Sequence, residues 1–132
     1  MFWHILITIS LSFNIYAADP KDIAKYKSYT AYKQAISEYN KQNYEKAMEY
    51  TENSLTLYAS NKKSKELLTK LKEKGEEYYT TGVSLEHFNK ELAIEYLKKA
   101  QTLLRSSDKK IKKKVIDALN NLQTERTETD DE

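Results

Sequence analysis

Residues 31–61 read AYKQAISEYNKQNYEKAMEYTENSLTLYASN. The stretch contains two amphipathic helical patterns on either side of a short polar turn, Lys41-Gln42-Asn43. In both patterns, apolar and small residues recur at the spacing that places side chains on one face of an α-helix. Two helices joined by so short a turn lie antiparallel, so the stretch predicts a helical hairpin.

The second half of this stretch recurs later in the chain. Asn43 to Leu57 reads NYEKAMEYTENSLTL, and Asn89 to Leu103 reads NKELAIEYLKKAQTL. The two segments align without gaps and share Asn, Glu, Ala, Glu, Tyr, Thr and Leu, which indicates an internal repeat. We expect the shared alanines, Ala47 and Ala93, to lie where the two helices of a hairpin approach closely.

The repeated hairpin resembles the tetratricopeptide repeat (TPR), over residues 28–61 and 75–106. The resemblance implies an all-α fold, in which antiparallel hairpins stack as a short solenoid that ends in a C-terminal capping helix. It also implies that the domain binds other proteins. A generic helical bundle or coiled coil is the alternative. The residues expected to pack between repeat helices are Ala35, Tyr44, Ala47, Ser54, Gly82, Ala93, Tyr96 and Ala100.

The spacing of the repeats departs from the family pattern. The matched segments start 46 positions apart, at Asn43 and Asn89, whereas TPR units repeat about every 34 residues. The extra length falls between Ser60 and Gly82, so the third helix is expected to be longer than usual or broken near Gly75. Gly82 is also one residue closer to the following repeat than the family pattern requires.

Five helices are expected in all, spread over a domain of residues 18–123. Their starts are marked by residues that favour N-caps, namely Asp19 before Pro20, Asn43, Ser60-Asn61, Asn89 and Ser107-Asp108. On the fifth helix, we expect Ile111, Val115, Ile116, Leu119 and Leu122 to face inward. Residues 124–132 contain five acidic residues and one arginine, a net charge of −4, and are expected to be disordered.

The N-terminal segment differs in character from the rest of the chain. Residues 1–18 contain no Lys, Arg, Asp or Glu, and Ile5 to Phe13 is apolar except for hydroxyl side chains. This composition predicts a signal peptide, residues 1–17, that is cleaved after Ala17 and directs export, to the periplasm in a bacterium. The segment lacks the usual basic residue near its start, so an uncleaved membrane anchor and a buried N-terminal helix remain open.

A partner-binding groove is expected on the first helix. In the TPR family, the first helices of successive hairpins line a concave face that binds peptides or partner helices. The corresponding residues here are Tyr29, Tyr32, Ile36, Tyr39 and Asn40. The family's carboxylate-binding members carry lysine and asparagine where this chain has Tyr32 and Ile36, so a carboxylate clamp is not expected. Some of these rings could instead only pack against the second helix.

Charge is distributed unevenly along the chain. Residues 19–123 contain 21 basic and 15 acidic residues, and five lysines cluster at Lys109, Lys110, Lys112, Lys113 and Lys114. These lysines either form a solvated face or contact an anionic surface, such as a membrane or an acidic partner. Nucleic acid is not expected as a partner, because no arginine or aromatic residue is interleaved with the lysines and the N-terminal segment predicts export.

Catalysis is not expected. The chain has two histidines and no cysteine, and no glycine-rich phosphate loop, so no cofactor or metal site is predicted. We therefore expect a non-catalytic adaptor or assembly factor of the cell envelope that binds another protein, with self-association open. The alternatives are a membrane-anchored structural subunit that retains residues 1–17 and a cytosolic secretion chaperone with TPR hairpins.

Overall fold

The computed structural model describes residues 18–129, which form five α-helices and no β-strand. The predicted all-α fold and the number of helices are confirmed. The predicted signal peptide, residues 1–17, lies outside the described residues. The helices are α1 (Pro20–Asn40), α2 (Tyr44–Leu57), α3 (Lys62–Leu85), α4 (Lys90–Leu103) and α5 (Lys109–Thr129).

Four of the five helices begin with a side-chain cap. In each case an Asp or Asn oxygen accepts a hydrogen bond from a backbone N–H in the first turn, which would otherwise lack a partner. The four caps are Asp19 to Lys21 N (2.9 Å), Asn61 to Ser64 N (3.2 Å), Asn89 to Leu92 N (3.0 Å) and Asp108 to Ile111 N (2.9 Å). These starts agree with the residues that the sequence marked.

The start of α2 is different. Asn43 occupies the N-cap position, but its side chain makes no capping hydrogen bond and instead donates to the Glu38 carboxylate at 2.9 Å. The preceding turn closes α1 through two backbone bonds, from Gln42 N to Tyr39 O and from Asn43 N to Glu38 O, both 2.9 Å. This is the Schellman pattern, which needs a left-handed residue that is usually glycine. Gln42 adopts it here, with φ of 62°.

The helices pack mainly as two antiparallel pairs, α1 with α2 and α3 with α4. The antiparallel direction follows from the contacts, because Ser28 near the start of α1 meets Ser54 near the end of α2. Smaller contacts join α2 to α3 and α4 to α5, and α2 also touches α4.

The aligned segments form helices of equal length, and every position that is buried in α2 is also buried in α4. Both α2 and α4 contain 14 residues and start one residue after the aligned asparagines. The buried residues of α2 correspond one to one to buried residues of α4: Ala47 and Ala93, Met48 and Ile94, Thr51 and Leu97, Ser54 and Ala100. The sequence repeat is therefore also a repeat of burial.

A first hydrophobic core lies between α1, α2 and α3. Its buried members are Ala35, Ala47, Met48, Leu67, Leu71 and Leu103. Ala35 and Ala47 have no exposed surface, so α1 and α2 approach each other at small side chains. Leu103 belongs to α4 but packs in this core, which ties the second pair of helices to the first.

A buried polar cluster lies beside this core, where α1, α2 and the start of α3 meet. Ser28, Ser54, Asn61 and Ser64 have no exposed surface. Ser28 Oγ donates to the Ser54 carbonyl at 2.7 Å, and Ser54 Oγ donates to the Ser28 carbonyl at 2.8 Å. Because the Ser54 proton is used in this bond, Ser64 Oγ donates to Ser54 Oγ at 2.6 Å. Asn61 Nδ2 donates to both Ser28 Oγ and Ser54 Oγ, at 3.0 and 3.2 Å.

Two glycines bring α3 and α4 together. A Cβ atom at Gly75 would lie 2.8 Å from Leu104 Cγ, and one at Gly82 would lie 2.7 Å from Leu97 Cγ. Any larger residue would push the helices apart. The helix α3 runs unbroken through Gly75, so the long-helix alternative holds and the break does not occur.

A second core lies between α3, α4 and α5, and α5 contributes Val115, Leu119 and Leu122 to it. The prediction that Ile116 faces inward is wrong, because its side chain is 43% exposed. Ile116 follows Val115 directly, so it points about 100° around the helix from the buried face. The helix also covers residues 124–129 of the segment expected to be disordered, and residues 130–132 lie outside the described residues.

A charged contact links α2 to the turn after α4. Arg105 Nη2 lies 2.6 Å from a Glu52 carboxylate oxygen, and Ser106 Oγ donates to the other oxygen at 2.6 Å. The hydrogen bond from Arg105 is the largest effect on the pKa of Glu52 and lowers it. Burial, the next largest effect, acts in the opposite direction, and the hydrogen bond from Ser106 and the charge of Arg105 lower the pKa further, so the net shift is downward.

Within residues 18–129, no helix combines the length and the apolar character required to cross a membrane.

Candidate functional site

The five residues of the predicted groove lie on α1 with different degrees of burial. Tyr32, Ile36 and Tyr39 are half-buried and pack against the first core. Tyr29 is 37% exposed, and Asn40 is exposed. The three inner residues therefore have a packing role, and their outer surface, with Tyr29 and Asn40, is what a partner could contact.

The inner tyrosines of α1 also contact α3 and α2. The Lys63 ammonium group, in the first turn of α3, lies 5.9 Å from the centre of the Tyr32 ring. The Tyr39 ring packs edge-on against Tyr44 at the start of α2, with 5.3 Å between ring centres. Contacts of these two kinds are attractive and favour the ring positions seen here.

The Tyr39–Tyr44 pair begins a column of four tyrosines that crosses helices α1 to α4. Tyr44 meets Tyr78 of α3 with ring centres 6.4 Å apart, and Tyr78 meets Tyr96 of α4 at 5.7 Å. Sequence reasoning named Tyr39, Tyr44 and Tyr96 separately but did not place them in one column. No sequence signal could have done so, because residues 44 and 78 meet only through the packing of α2 on α3.

Two lysines lie over this tyrosine column. Lys74 Nζ is 5.7 Å from the Tyr44 ring centre and 5.8 Å from that of Tyr78, and Lys99 Nζ is 5.9 Å from Tyr78 and 5.4 Å from Tyr96. Burial raises the pKa of Tyr78, although the two ammonium groups act in the opposite direction. The Tyr78 hydroxyl therefore stays protonated at neutral pH.

An open groove of about 350 Å³ runs beside the tyrosine column, between the start of α2 and the outer face of α4. Tyr44, Tyr78 and Leu103 give it an apolar surface, and Glu45, Glu95, Lys98 and Lys99 supply mixed charge. The strained residue Gln42 also lines it. This second surface was not predicted.

The five clustered lysines lie in the first two turns of α5. Lys109, Lys110, Lys113 and Lys114 are exposed, and Lys112 is half-buried. Lys113 forms an ion pair with Asp117 at 2.6 Å. Lys110 and Lys114 form one side of a groove of about 510 Å³ between α5 and α3, and Glu76 and Tyr79 are on the other side. The lysines therefore point to more than one side of α5.

The eight residues expected to pack between repeat helices are found inside the fold or at its edge. Tyr44 and Tyr96 are half-buried members of the tyrosine column. The other six are buried: Ala35, Ala47, Ser54, Gly82, Ala93 and Ala100. The small residues are therefore at close helix contacts, and the two tyrosines are at the surface of those contacts.

One of the two histidines, His87, lies within the described residues. His87 Nε2 lies 3.1 Å from a Glu86 carboxylate oxygen, but the His87 side chain is 84% exposed. No three His, Cys, Asp or Glu residues within the described part of the chain are grouped so that they could hold a metal ion.

Comparison with known proteins adds no assignment, because no protein-family model, no curated protein and no solved structure matches this chain.

Proposed function

We propose that the protein is a TPR-like helical-repeat module that binds another protein and has no catalytic role. The main support for the proposal is that α2 and α4 repeat one burial pattern. Each buried position of α2 has a buried equivalent in α4, 46 residues later. A chain built from repeated antiparallel pairs with small residues at the contacts supports a short solenoid, and solenoids present extended surfaces to partners.

The binding surface that we propose is the tyrosine-rich side of α1, formed by Tyr29, Tyr32, Ile36, Tyr39 and Asn40. Tyrosine rings that are fixed by packing and partly exposed make good interface anchors, because little side-chain entropy is lost on binding. Tyr32 and Tyr39 meet this description, since each is half-buried and in contact with another side chain. An apolar segment of a partner with a few polar groups would suit this surface.

The apolar N-terminal segment supports a location in the cell envelope. Residues 1–17 have the composition of a signal peptide, and we propose export followed by action as an adaptor or assembly factor outside the cytoplasm. The N-terminal residue of the purified native protein tests this part, because cleavage after Ala17 predicts a mature chain that begins with Ala18. A chain that retains residues 1–17 in the membrane fraction would refute cleavage and favour the anchored structural subunit.

The proposed binding surface, the tyrosine-rich side of α1, is tested with two variants. Each introduces two glutamates, so the two variants carry equal charge. Tyr29→Glu with Asn40→Glu changes the exposed part of the proposed surface, and Thr30→Glu with Gln34→Glu changes exposed positions on another side of α1. Neither pair removes a core contact, so both variants should fold.

Affinity capture from the native envelope, with mass spectrometry of bait and prey, then gives the result. We expect the wild-type protein and the Thr30/Gln34 variant to retain one stoichiometric partner. The Tyr29/Asn40 variant should lose at least nine-tenths of it, roughly the cost of one interface anchor. Equal capture by both variants would refute the surface. If no protein is captured in stoichiometric amount, the proposed function as an adaptor is refuted.

A further inference from the structure

Lysines are concentrated at the starts of three of the five helices. The first eight residues of α1, α3 and α5 contain eleven lysines and two acidic residues, Asp22 and Glu66. The same positions of α2 and α4 contain two lysines and four glutamates. An acidic residue occupies the first turn of α1, α2 and α4, but none occupies the first turn of α3 or α5.

The three lysine-rich starts lie along one side of the helical array. Successive helices are joined by short connections and pack against each other, so they alternate in direction, and α1, α3 and α5 begin on the same side. Asn61, which caps α3, donates to Ser28 Oγ of α1 at 3.0 Å. Lys72 Nζ, in the first half of α3, donates to the Ser106 carbonyl just before α5 at 3.3 Å. We name this side the basic edge; it consists of residues 20–27, 62–69 and 109–116.

The fold itself compensates little of the positive charge on the basic edge. Cations in the first turn of a helix are disfavoured by its dipole, and Lys109 and Lys113 are one turn apart, where like charges repel. Within the part of the chain that the structure describes, Lys113 is the one lysine of this edge that forms an ion pair, with Asp117. Lys25 and Lys63 lie near tyrosine rings. An external anionic surface would relieve the repulsion among these lysines.

Exposed apolar side chains accompany the lysines. Ile23 and Tyr26 lie in the first two turns of α1, Ile116 lies in the second turn of α5, and all three are exposed. Lysine can lay its aliphatic stem along an apolar surface while its ammonium group stays at a charged boundary, and tyrosine favours the same boundary. A phospholipid surface offers both a layer of phosphates and an apolar layer beneath it, whereas nucleic acid offers the phosphates without that layer.

The apolar residues 1–17 join the fold at the same edge. They precede Ala18, and α1 begins at Pro20, within the basic edge. A segment of this composition is directed to a membrane, whether it is cleaved afterwards or retained. The side of the fold that is next to this segment is therefore the side with the lysines and the exposed apolar residues.

We propose that the basic edge binds the surface of an anionic phospholipid membrane. The lysines contact the lipid phosphates, and Ile23, Tyr26 and Ile116 enter the headgroup region. This inference does not depend on the proposed function, because it rests on the charge and the exposed residues of the helix starts. The protein-binding surface proposed on α1 lies mostly in the second half of that helix, so a partner could bind while the edge contacts the membrane.

Vesicle binding is the first test. The chain that begins at Ala18 is used, because it contains all buried members of both cores, which lie between Ala35 and Leu122, and lacks the apolar segment. Co-sedimentation compares phosphatidylcholine vesicles with vesicles that also contain about 30% phosphatidylglycerol, and we expect binding at least about tenfold tighter to the anionic vesicles. This preference should disappear as the Debye length falls from about 14 Å at 50 mM to about 4 Å at 500 mM salt. No binding, or equal binding to both vesicles, overturns the proposal.

Two charge-neutralising variants locate the contact. Lys62→Gln with Lys109→Gln changes exposed lysines at the starts of α3 and α5, whereas Lys41→Gln with Lys46→Gln makes the same change of net charge at the start of α2, on the opposite side. Each lysine lost from a membrane contact weakens binding about fivefold, so we expect a loss of roughly twentyfold in the first variant and less than about twofold in the second. Circular dichroism checks that both are folded. An equal loss in both contradicts a contact at the basic edge.

The apolar part of the contact is tested with two exposed aromatic residues. Tyr26 on the basic edge is 74% exposed, and Phe88, between α3 and α4 on the opposite side, is 86% exposed, so neither replacement by alanine opens a core. We expect Tyr26→Ala to weaken binding to the anionic vesicles at least about threefold and Phe88→Ala to leave it unchanged. The reverse order, or no effect of Tyr26→Ala, overturns the insertion of this edge.

A soluble polyanion distinguishes a membrane from an acidic partner. Polyglutamate, supplied at the same concentration of negative charge as the anionic vesicles, offers charge without an apolar layer. We expect the protein to bind it at least about tenfold more weakly than the vesicles. Equal or tighter binding to polyglutamate overturns the membrane as the occupant of the basic edge.

Discussion

Replacement of Ser54 by alanine should destabilise the protein, although alanine fits the site. Ser54 is the central member of the buried polar cluster, and its hydroxyl contacts Ser28, Asn61 and Ser64. The equivalent residue of α4 is Ala100, which is also fully buried, so the methyl side chain suits this position of the repeat. The substitution therefore removes hydrogen bonds with little change in packing.

The magnitude follows from the groups that lose a partner. Without Ser54 Oγ, the Ser64 hydroxyl and one Asn61 N–H lose an acceptor in a site with no solvent exposure. Leaving a buried donor unsatisfied costs about 1–3 kcal/mol, and alanine returns about 0.5 kcal/mol through its higher helix propensity. We expect the free energy of unfolding to fall by about 1–2 kcal/mol.

Urea denaturation followed by circular dichroism measures this change. The matched control is Ser84→Ala, because Ser84 is exposed and its hydroxyl only donates to the Thr80 carbonyl one turn earlier. The double variant Ser54→Ala/Ser64→Ala removes the orphaned hydroxyl, so its effect should be smaller than the sum of the single effects by about 1 kcal/mol. Wild-type stability in Ser54→Ala, or strictly additive effects, would refute the reasoning.

Four further predictions concern single positions. Gln42→Gly should raise the free energy of unfolding by about 1 kcal/mol, because glycine adopts a φ of 62° without a Cβ penalty, and the urea midpoint measures it. Gly82→Ala should lower the same quantity by about 1–2 kcal/mol, since a Cβ would lie 2.7 Å from a buried leucine side chain; unchanged stability would contradict the close contact. The pKa of Glu52 is lowered below its usual 4.5 in the folded state, so its stabilising effect is present above that pH and is lost as pH falls through the folded-state pKa. The acid unfolding curve of Glu52→Gln should lack this component. Burial raises the pKa of Tyr78, so Tyr78→Phe should remove a late-ionising component from the alkaline titration of phenolate absorbance.

The sequence predicted features that depend on neighbouring residues. The starts of α1, α3, α4 and α5 were identified because Asp19, Asn61, Asn89 and Asp108 satisfy backbone groups within their own first turn. The start of α2 was placed correctly, but its cap was not, because the Glu38 carboxylate competes for the Asn43 side chain. A rule based on single residues cannot anticipate such competition.

Features that depend on contacts between distant helices could not be predicted. Ser54 was identified as a small packing residue, but its polar role needs Ser28, which is 26 positions away, and Asn61 and Ser64 from the next helix. On α1, tyrosines recur every three residues at Tyr26, Tyr29 and Tyr32, yet Tyr32 packs against the core while Tyr26 is 74% exposed. Periodicity indicates which face of a helix is apolar. It does not indicate how far along that face the neighbouring helices extend.

The position of Leu103 has a consequence for how the chain can be divided. This residue ends the second copy of the repeat, yet it completes the core that the first copy begins. Cleavage in the connection between Tyr58 and Asn61 would therefore leave two fragments, each with part of its apolar interior open to water. We therefore expect neither pair of helices to fold without the other. Limited proteolysis should yield either intact protein or small peptides, and no stable fragment that contains only one pair.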